Sequence, residues 1–300
     1  MSKTLFISCP VFVSNISEIY KEAGKRWLES LSERIRALSD QWGFKLIKPI
    51  PDLSYHFVGL VEYKGQRAII KMGPDAESLE PQVNWLTAIG KAMPKVYAFD
   101  AKLNAYLMEQ IEPGYSLKSL VKTGDDDKAT RIICELISAL QSKQSAVKGQ
   151  FKHLSELAKD LSILKGHYDK KLLSRAESLF HELSQDRSQD VLLHGDLHHD
   201  NILQSASGWK VIDPHGYIGD PAAEVGAMIR NPYDCFPQDR SLAQTVDRRL
   251  KIMAKELPFD PQRMKAWAFC MTVLSDAWTF EGHGKVTEQE LASAIYQVKL

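Results

Sequence analysis

The chain has 300 residues, 44% hydrophobic and 25% charged, with 38 basic side chains against 38 acidic ones and a formal net charge of zero. That composition excludes collagen-like, coiled-coil and disordered chains, and the balanced charge lacks the basic excess of a nucleic-acid binder. Four scattered cysteines, Cys9, Cys134, Cys235 and Cys270, form no CxxC pair, so reduced thiols are expected rather than a zinc ribbon or disulfide framework. No apolar stretch approaches the roughly 18 residues of a spanning helix. The opening run over 5–13 is too interrupted for a signal peptide, so a soluble cytoplasmic protein without a membrane partner is expected.

From 16 to 42 the residues Ile19, Tyr20, Ala23, Trp27, Leu28, Leu31, Ile35, Leu38 and Trp42 recur at helical spacing, predicting an amphipathic helix stopped by Gly43. Its polar face mixes Glu with Lys and Arg, which favours packing on the body over lying on a membrane. Residues 55–63 and 67–72 read as strands joined at Lys64-Gly65-Gln66, the second ending near Lys71. A helix is predicted over 76–86 and two more strands over 95–100 and 105–111. Glu112-Pro113-Gly114 breaks the pattern, and the periodicity beyond it is mainly helical, with a short exception between 191 and 213. Strands first and helices later predict an α+β protein of two lobes: a small N-lobe of β-sheet and helices over 1–108, and a larger, mainly helical C-lobe over 109–300.

The informative stretch, 191–232, reads VLLHGDLHHDNILQSASGWKVIDPHGYIGDPAAEVGAMIRNP. An apolar run, Val191-Leu192-Leu193, delivers His194-Gly195-Asp196 to a turn, Asn201 follows five residues after Asp196, and a second short strand over 209–212 ends in Asp213. Two strand ends thus bring Asp196, Asn201 and Asp213 to one edge. Phosphoryl transfer from ATP needs this inventory: a carboxylate to orient and deprotonate the attacking hydroxyl, oxygen ligands for Mg2+, and a cation on the phosphates. Asp196 suits the first role, and Asn201 and Asp213 the second. Lys71 suits the third, paired with Glu80 on the following helix or with its competitor Glu77 one turn earlier, since a buried lysine needs a partner. Singly, each residue has a plainer reading, because a strand-end lysine is usually a solvated edge residue and an Asp in a turn usually caps it. Asp220-Pro221 is read that way, as a cap and first-turn proline with Glu224 in the positive end of a helix. The joint spacing is what chance does not supply.

HGDLHHDN resembles the catalytic loop of the aminoglycoside phosphotransferase families, which share the bilobal protein-kinase-like fold. VIDPHGYIGDPAAEVG followed by Asn231-Pro232, with Leu274-Ser275-Asp276-Ala277-Trp278 and Glu281-Gly282, is similar to the aminoglycoside/hydroxyurea antibiotic resistance kinases, the group containing streptomycin 6-kinase. The resemblance implies Asp196 as catalytic base, Asn201 and Asp213 as magnesium ligands, and Lys71 as the phosphate-binding lysine paired with Glu80. It further implies an inter-lobe hinge over 106–111, whose backbone at Glu109 and Ile111 meets the purine of ATP, and a bracing role for His194. Three features depart from the pattern. Pro214-His215 stands where protein kinases carry Phe-Gly, and His199-Asp200 replaces the Pro-Gly or Pro-Glu often found before the Asn. No Gly-rich phosphate loop precedes Lys71, the nearest segment being Ser54-Tyr55-His56-Phe57.

Only six residues separate Asp213 from Asp220, which leaves no room for the long activation segment of a protein kinase. A small hydroxyl-bearing acceptor is therefore expected, above all an aminoglycoside such as streptomycin. Asp276, Trp278 and Glu281 are the candidate contacts, with Asp234 and Asp239 further off, because carboxylates hold and orient a polycationic aminocyclitol. The plainer reading makes them surface charges on a helix and loop. Three other functions compete. One is a metallohydrolase using His194, His198, His199 and His215, although the HxHxDH order is absent. The others are a catalytically silent nucleotide-binding module and a metabolic kinase of the same fold acting on choline, homoserine, a sugar or a fructosamine.

Overall fold

Apolar residues at helical spacing build the first element, α1 (Pro10–Trp42), in a computed structural model that describes residues 9–51, 53–74, 78–90, 93–141 and 151–299. The helical span is broken at Lys21, whose φ of 52° and ψ of −132° are not helical, and it ends at Gly43 in the left-handed conformation. The chain divides into two compact units, Met1–Ile111 and Glu112–Leu300.

In the first unit, β1 (Phe44–Pro49), β2 (Phe57–Tyr63), β3 (Gln66–Met72), β4 (Val96–Asp100) and β5 (Ala105–Glu109) form an antiparallel sheet in the order β1-β2-β3-β5-β4, with α2 (Glu80–Ile89) joining β3 to β4. The two-residue loop between Tyr63 and Gln66 has positive φ at both Lys64 and Gly65, the backbone that suits the twist of a tight hairpin. Phe12, Ile16, Trp27, Leu31, Ile35 and Leu38 of α1 share one core with Phe57, Val61, Ala68, Ile70, Met72, Ala105 and Leu107 of the sheet. Burying each large apolar side chain contributes roughly 1.5–3 kcal/mol, so this face, more than helix propensity, holds α1 in place. Two expectations change here. β1 is an additional strand, hidden in the sequence by a register shift between Leu46 and Lys48 and by its terminal proline. The described part of the helix expected over 76–86 is α2, which starts at Glu80 and runs on to Ile89; residues 75–77 lie outside the described residues.

The second unit contains β6 (Pro113–Ser116), α3 (Lys118–Lys122), α4 (Asp126–Gln141), β7 (Lys152–His153), a 3-10 stretch (Leu154–Leu164) and α5 (Lys170–Leu183). There follow β8 (Val191–Leu193), β9 (Ile202–Ser205), β10 (Gly208–Val211), β11 (Tyr217–Gly219), α6 (Val225–Arg230), α7 (Leu242–Glu256), α8 (Pro261–His283) and α9 (Gln289–Gln297). Two small sheets, β10-β9-β6 and β7-β11-β8, carry the loops described below. Residues 267–277 of α8 are all buried, the mark of a helix surrounded on every side, and α5, α6, α7 and α9 pack around it. Gly226 makes one of these approaches possible: a Cβ there would lie 2.6 Å from that of Met271. The strands β6, β7 and β11 are too short for an alternating pattern to announce them. No helix among the described residues is long and apolar enough to cross a membrane.

Candidate active site

β8 runs apolar into His194-Gly195-Asp196, and the turn there is fixed by a carboxylate 30 residues further on. The N–H of His194 donates to Glu224 Oε2 at 2.7 Å and the N–H of Gly195 to Oε1 at 3.0 Å. Gly195 has φ 82°, and any Cβ would stand 2.6 Å from the Tyr217 ring, so only glycine fits. Glu224 sits in the short 3-10 turn Pro221–Glu224, which Asp220 caps through the Ala222 N–H at 2.9 Å. Asp220 in turn accepts from Trp267 Nε1 at 2.5 Å and pairs with Arg263, tying the turn to α8. Burial pushes the Glu224 carboxyl up to about 7 even though two N–H groups favour its charged form. His194 is fully buried; its Nε2–H donates to the Ile212 carbonyl at 2.9 Å and its Nδ1 accepts the Asp196 N–H at 3.3 Å. Burial lowers it to about 4, so it braces the loop as a neutral ring.

The Asp196 carboxylate meets three side chains. Oδ1 accepts from Arg230 Nη2 at 2.9 Å, while Oδ2 lies 3.3 Å from Asn201 Nδ2 and 3.4 Å from His198 Nε2. Burial alone would raise its pKa, but His198 and Arg230 outweigh burial and hold it well below the usual carboxylate range, so it is ionised. His198 Nδ1 accepts the Asp200 N–H at 3.3 Å, which leaves Nε2 as the protonated atom facing Asp196. Asn201 closes the 3-10 turn His199–Asn201 and also gives Nδ2–H to the Asp196 carbonyl at 2.9 Å. With the amide nitrogen committed, Oδ1 is the atom Asn201 offers elsewhere. The Ile212 N–H donates to the Asn201 carbonyl at 2.9 Å, and the His215 N–H to the His194 carbonyl at 2.8 Å. Asp213 lies between these two anchors with φ 57°, a left-handed conformation rare outside glycine. Asp196, Asn201 and Asp213 are thus laced into one hydrogen-bonded frame.

An amide oxygen and a carboxylate are hard donors of the kind Mg2+ takes alongside phosphate oxygens, so this pair fits that ion. Among the described residues no three His, Cys, Asp or Glu side chains form a cluster that could hold a metal ion.

In the first unit, Lys71 lies cross-strand from Tyr106 and is 3% exposed. Its Nζ donates to Gln82 Oε1 at 3.1 Å, and the Tyr106 hydroxyl donates to the same oxygen at 3.2 Å. The expected partner Glu80 is corrected by this geometry. Two residues apart on a helix point about 200° apart, so with Gln82 turned to the strand, Glu80 projects from the exposed first turn of α2. Glu77, its competitor, lies outside the described residues. The Glu109 N–H donates to the Lys95 carbonyl at 2.8 Å. Ile111 is the last residue of this unit.

The expected acceptor contacts fare unevenly. Asp276 is completely buried rather than presented on a surface, because it lies on the enclosed stretch of α8. Its Oδ1 accepts the N–H groups of Thr287 and Glu288 at 2.7 and 2.9 Å. Trp278 donates Nε1–H to Asp160 at 3.1 Å and sets its ring edgewise to His215, while Glu281 is exposed. Asp234 pairs with Lys118 at 2.6 Å, and Asp239 with Arg240 at 2.9 Å. Sequence reasoning missed Arg230 and Gln82, considered His198 only as a metal ligand, and placed Glu224 only in the positive end of a helix. Glu224 left a usable signal: a carboxylate inside the apolar run AAEVGAMI is buried and must find donors.

A β-sheet unit carrying a buried lysine, followed by a helical unit with an Asp/Asn/Asp loop frame, defines a protein-kinase-like small-molecule kinase. The aminoglycoside/hydroxyurea antibiotic resistance kinase family matches over residues 48–282, and the chain belongs to that family. It is 32% identical over 215 residues to a streptomycin 3''-kinase of Klebsiella pneumoniae, an alignment covering 70% of this chain and 78% of that protein. It is 26% identical to a hydroxyurea phosphotransferase of Kitasatospora aureofaciens, covering 91% and 80%. Among solved structures, choline kinase LicA from Streptococcus pneumoniae matches with a TM-score of 0.63 at 15% identity, covering 90% of this chain and all of that one. The aminoglycoside phosphotransferase APH(4)-Ia, solved with ADP and hygromycin B, matches with a TM-score of 0.59 at 14% identity, covering 87% and 96%. The expected α+β kinase-like fold is confirmed, and the protein is a phosphotransferase whose acceptor is an alcohol group of a small molecule.

Proposed function

We propose that this kinase moves the γ-phosphoryl group of ATP to a hydroxyl of a cationic aminocyclitol, with streptomycin the first candidate. The observation that carries the reading is the Asp196 carboxylate, kept ionised by Arg230 and His198 and fixed by Asn201. A carboxylate so held can accept a hydrogen bond from an acceptor hydroxyl, aim its oxygen at the phosphorus, and take the proton as the new O–P bond forms. Asn201 Oδ1 and the Asp213 carboxylate would hold Mg2+, which when bound neutralises charge on the phosphates. Lys71, steadied by Gln82, would add its ammonium to the phosphate oxygens. Backbone groups at Glu109 and Ile111 would meet the purine edge. Trp278 and the exposed Glu281 remain the acceptor contacts, and buried Asp276 shapes the segment that follows α8. A streptomycin kinase and a hydroxyurea phosphotransferase among the relatives support a small polar acceptor. Four free thiols and a need for ATP fit a cytoplasmic setting.

The test is MgATP-dependent phosphate incorporation into streptomycin, other aminocyclitols, hydroxyurea and common hydroxyl-bearing metabolites, with the modified position mapped by NMR. Incorporation into an aminocyclitol, abolished by Asp196→Asn, is expected. Transfer only to a metabolite would overturn the substrate, and transfer to none would overturn the activity.

A further inference from the structure

Arg230, the last residue of α6, carries two carboxylates on one guanidinium. Nη2 lies 2.9 Å from Asp196 Oδ1, and Nη1 lies 3.8 Å from Glu288 Oε1. Glu288 precedes α9, is 6% exposed, and receives a hydrogen bond on Oε1 from the Ser275 hydroxyl at 3.3 Å. Its Oε2 is buried without a hydrogen-bond partner. The charged and titratable groups that act on Glu288 are Arg230, Asp276 and Asp196, with Tyr168 beside Asp276. One cation therefore serves an acidic group on either side, and a change in charge on one side is felt on the other.

We infer that Glu288 is a positioning residue that tunes the basicity of Asp196 through Arg230. When Glu288 is ionised, it draws on the guanidinium and its own charge raises the proton affinity of Asp196. When it takes up a proton, Arg230 serves Asp196 alone and the base weakens. Burial pushes the Glu288 carboxyl up to about 7, against the pull of Arg230, which places this exchange in the neutral range. The inference rests on the reading of Asp196 as the base.

Two measurements test it separately from that reading. In protein labelled with 13C at the Glu side-chain carboxyls, one signal should titrate near pH 7 and vanish in Glu288→Gln. A second signal near 7, from Glu224, should persist. In Asp196→Asn the Glu288 midpoint should fall by about half a pH unit or more, because a like charge has gone. With MgATP and streptomycin, wild-type kcat/KM should rise about threefold or more as pH passes upward through 7, and Glu288→Gln should flatten that step. A Glu288 midpoint unmoved by Asp196→Asn, or a step retained in Glu288→Gln, would overturn the inference. If streptomycin proves not to be a substrate, the proposed function is what fails. The carboxyl titration, which needs no acceptor, then decides the coupling alone.

Discussion

Asp196 concentrates the proposed chemistry at the scale of single residues. Asp196→Asn should lower kcat by about 10²–10⁴-fold while the Kd for MgATP, read by calorimetry, stays within about twofold, because a base acts in the transition state. The buried titratable groups also shape stability, with signs that can be worked out. Glu224 and Glu288 hold their protons up to about 7 instead of the ordinary 4.5, so each contributes fully below pH 4.5 and loses that contribution as pH rises to 7. His194 titrates at about 4 instead of 6.5, so its contribution is full above 6.5 and is lost as pH falls to 4. Each effect is worth about 3 kcal/mol at its full extent. His199 is likewise held well below its ordinary value by burial, so two raised carboxyls stand against two lowered imidazoles between pH 5 and 7. In Glu288→Gln one carboxyl is gone and the imidazoles prevail, so the Tm should rise with pH from 5 to 7 relative to the wild type in a calorimetric series. The linear motif HGDLHHDN contained Asp196 and Asn201, and a strand end gave Asp213, because these positions sit at short fixed spacings. Arg230 and Glu288 were illegible since they reach the base from positions 34 and 92 residues away, with nothing local to mark them. Gln82 was missed because the phase of α2, and hence which side chain faces Lys71, depends on how the helix docks on its strand.

Individual elements depend on a few buried polar anchors. Arg249 of α7, fully buried, forks onto Asp126 of α4 and gives Nη1–H to the carbonyls of Met228, Ile229 and Asn231, at the end of α6. Arg249→Met strands the Asp126 charge and three carbonyls, so a loss of about 3–5 kcal/mol in chemical denaturation is expected. Activity should fall further than stability alone explains, because these carbonyls flank Arg230. Gly226→Ala should cost about 1–3 kcal/mol by pushing α6 off Met271. Long elements with a clear period, such as α1 and the β2–β3 hairpin, were readable from sequence. The break in α1 at Lys21 and the two-residue β7 left no periodic trace.

Across the whole molecule, the proposed chemistry divides between the two units. Lys71 belongs to the first, and Asp196, Asn201 and Asp213 to the second. Substitutions should therefore separate: Lys71→Ala weakens MgATP binding by about tenfold or more and also lowers turnover, whereas Asp196→Asn affects turnover alone. The fold class followed from the order of strands and helices. The acceptor did not, because neutral overall charge selects no substrate and the carboxylate expected to greet one, Asp276, is turned into the interior.

Glu224 meets two successive amides with its two oxygens, one apiece. A saturation library at this codon should accordingly be intolerant. Aspartate is a methylene too short to span both groups, and glutamine would set an N–H against an N–H. In a streptomycin-phosphorylation assay across the library, glutamate alone should retain activity, because both its oxygens are spent on these backbone amides.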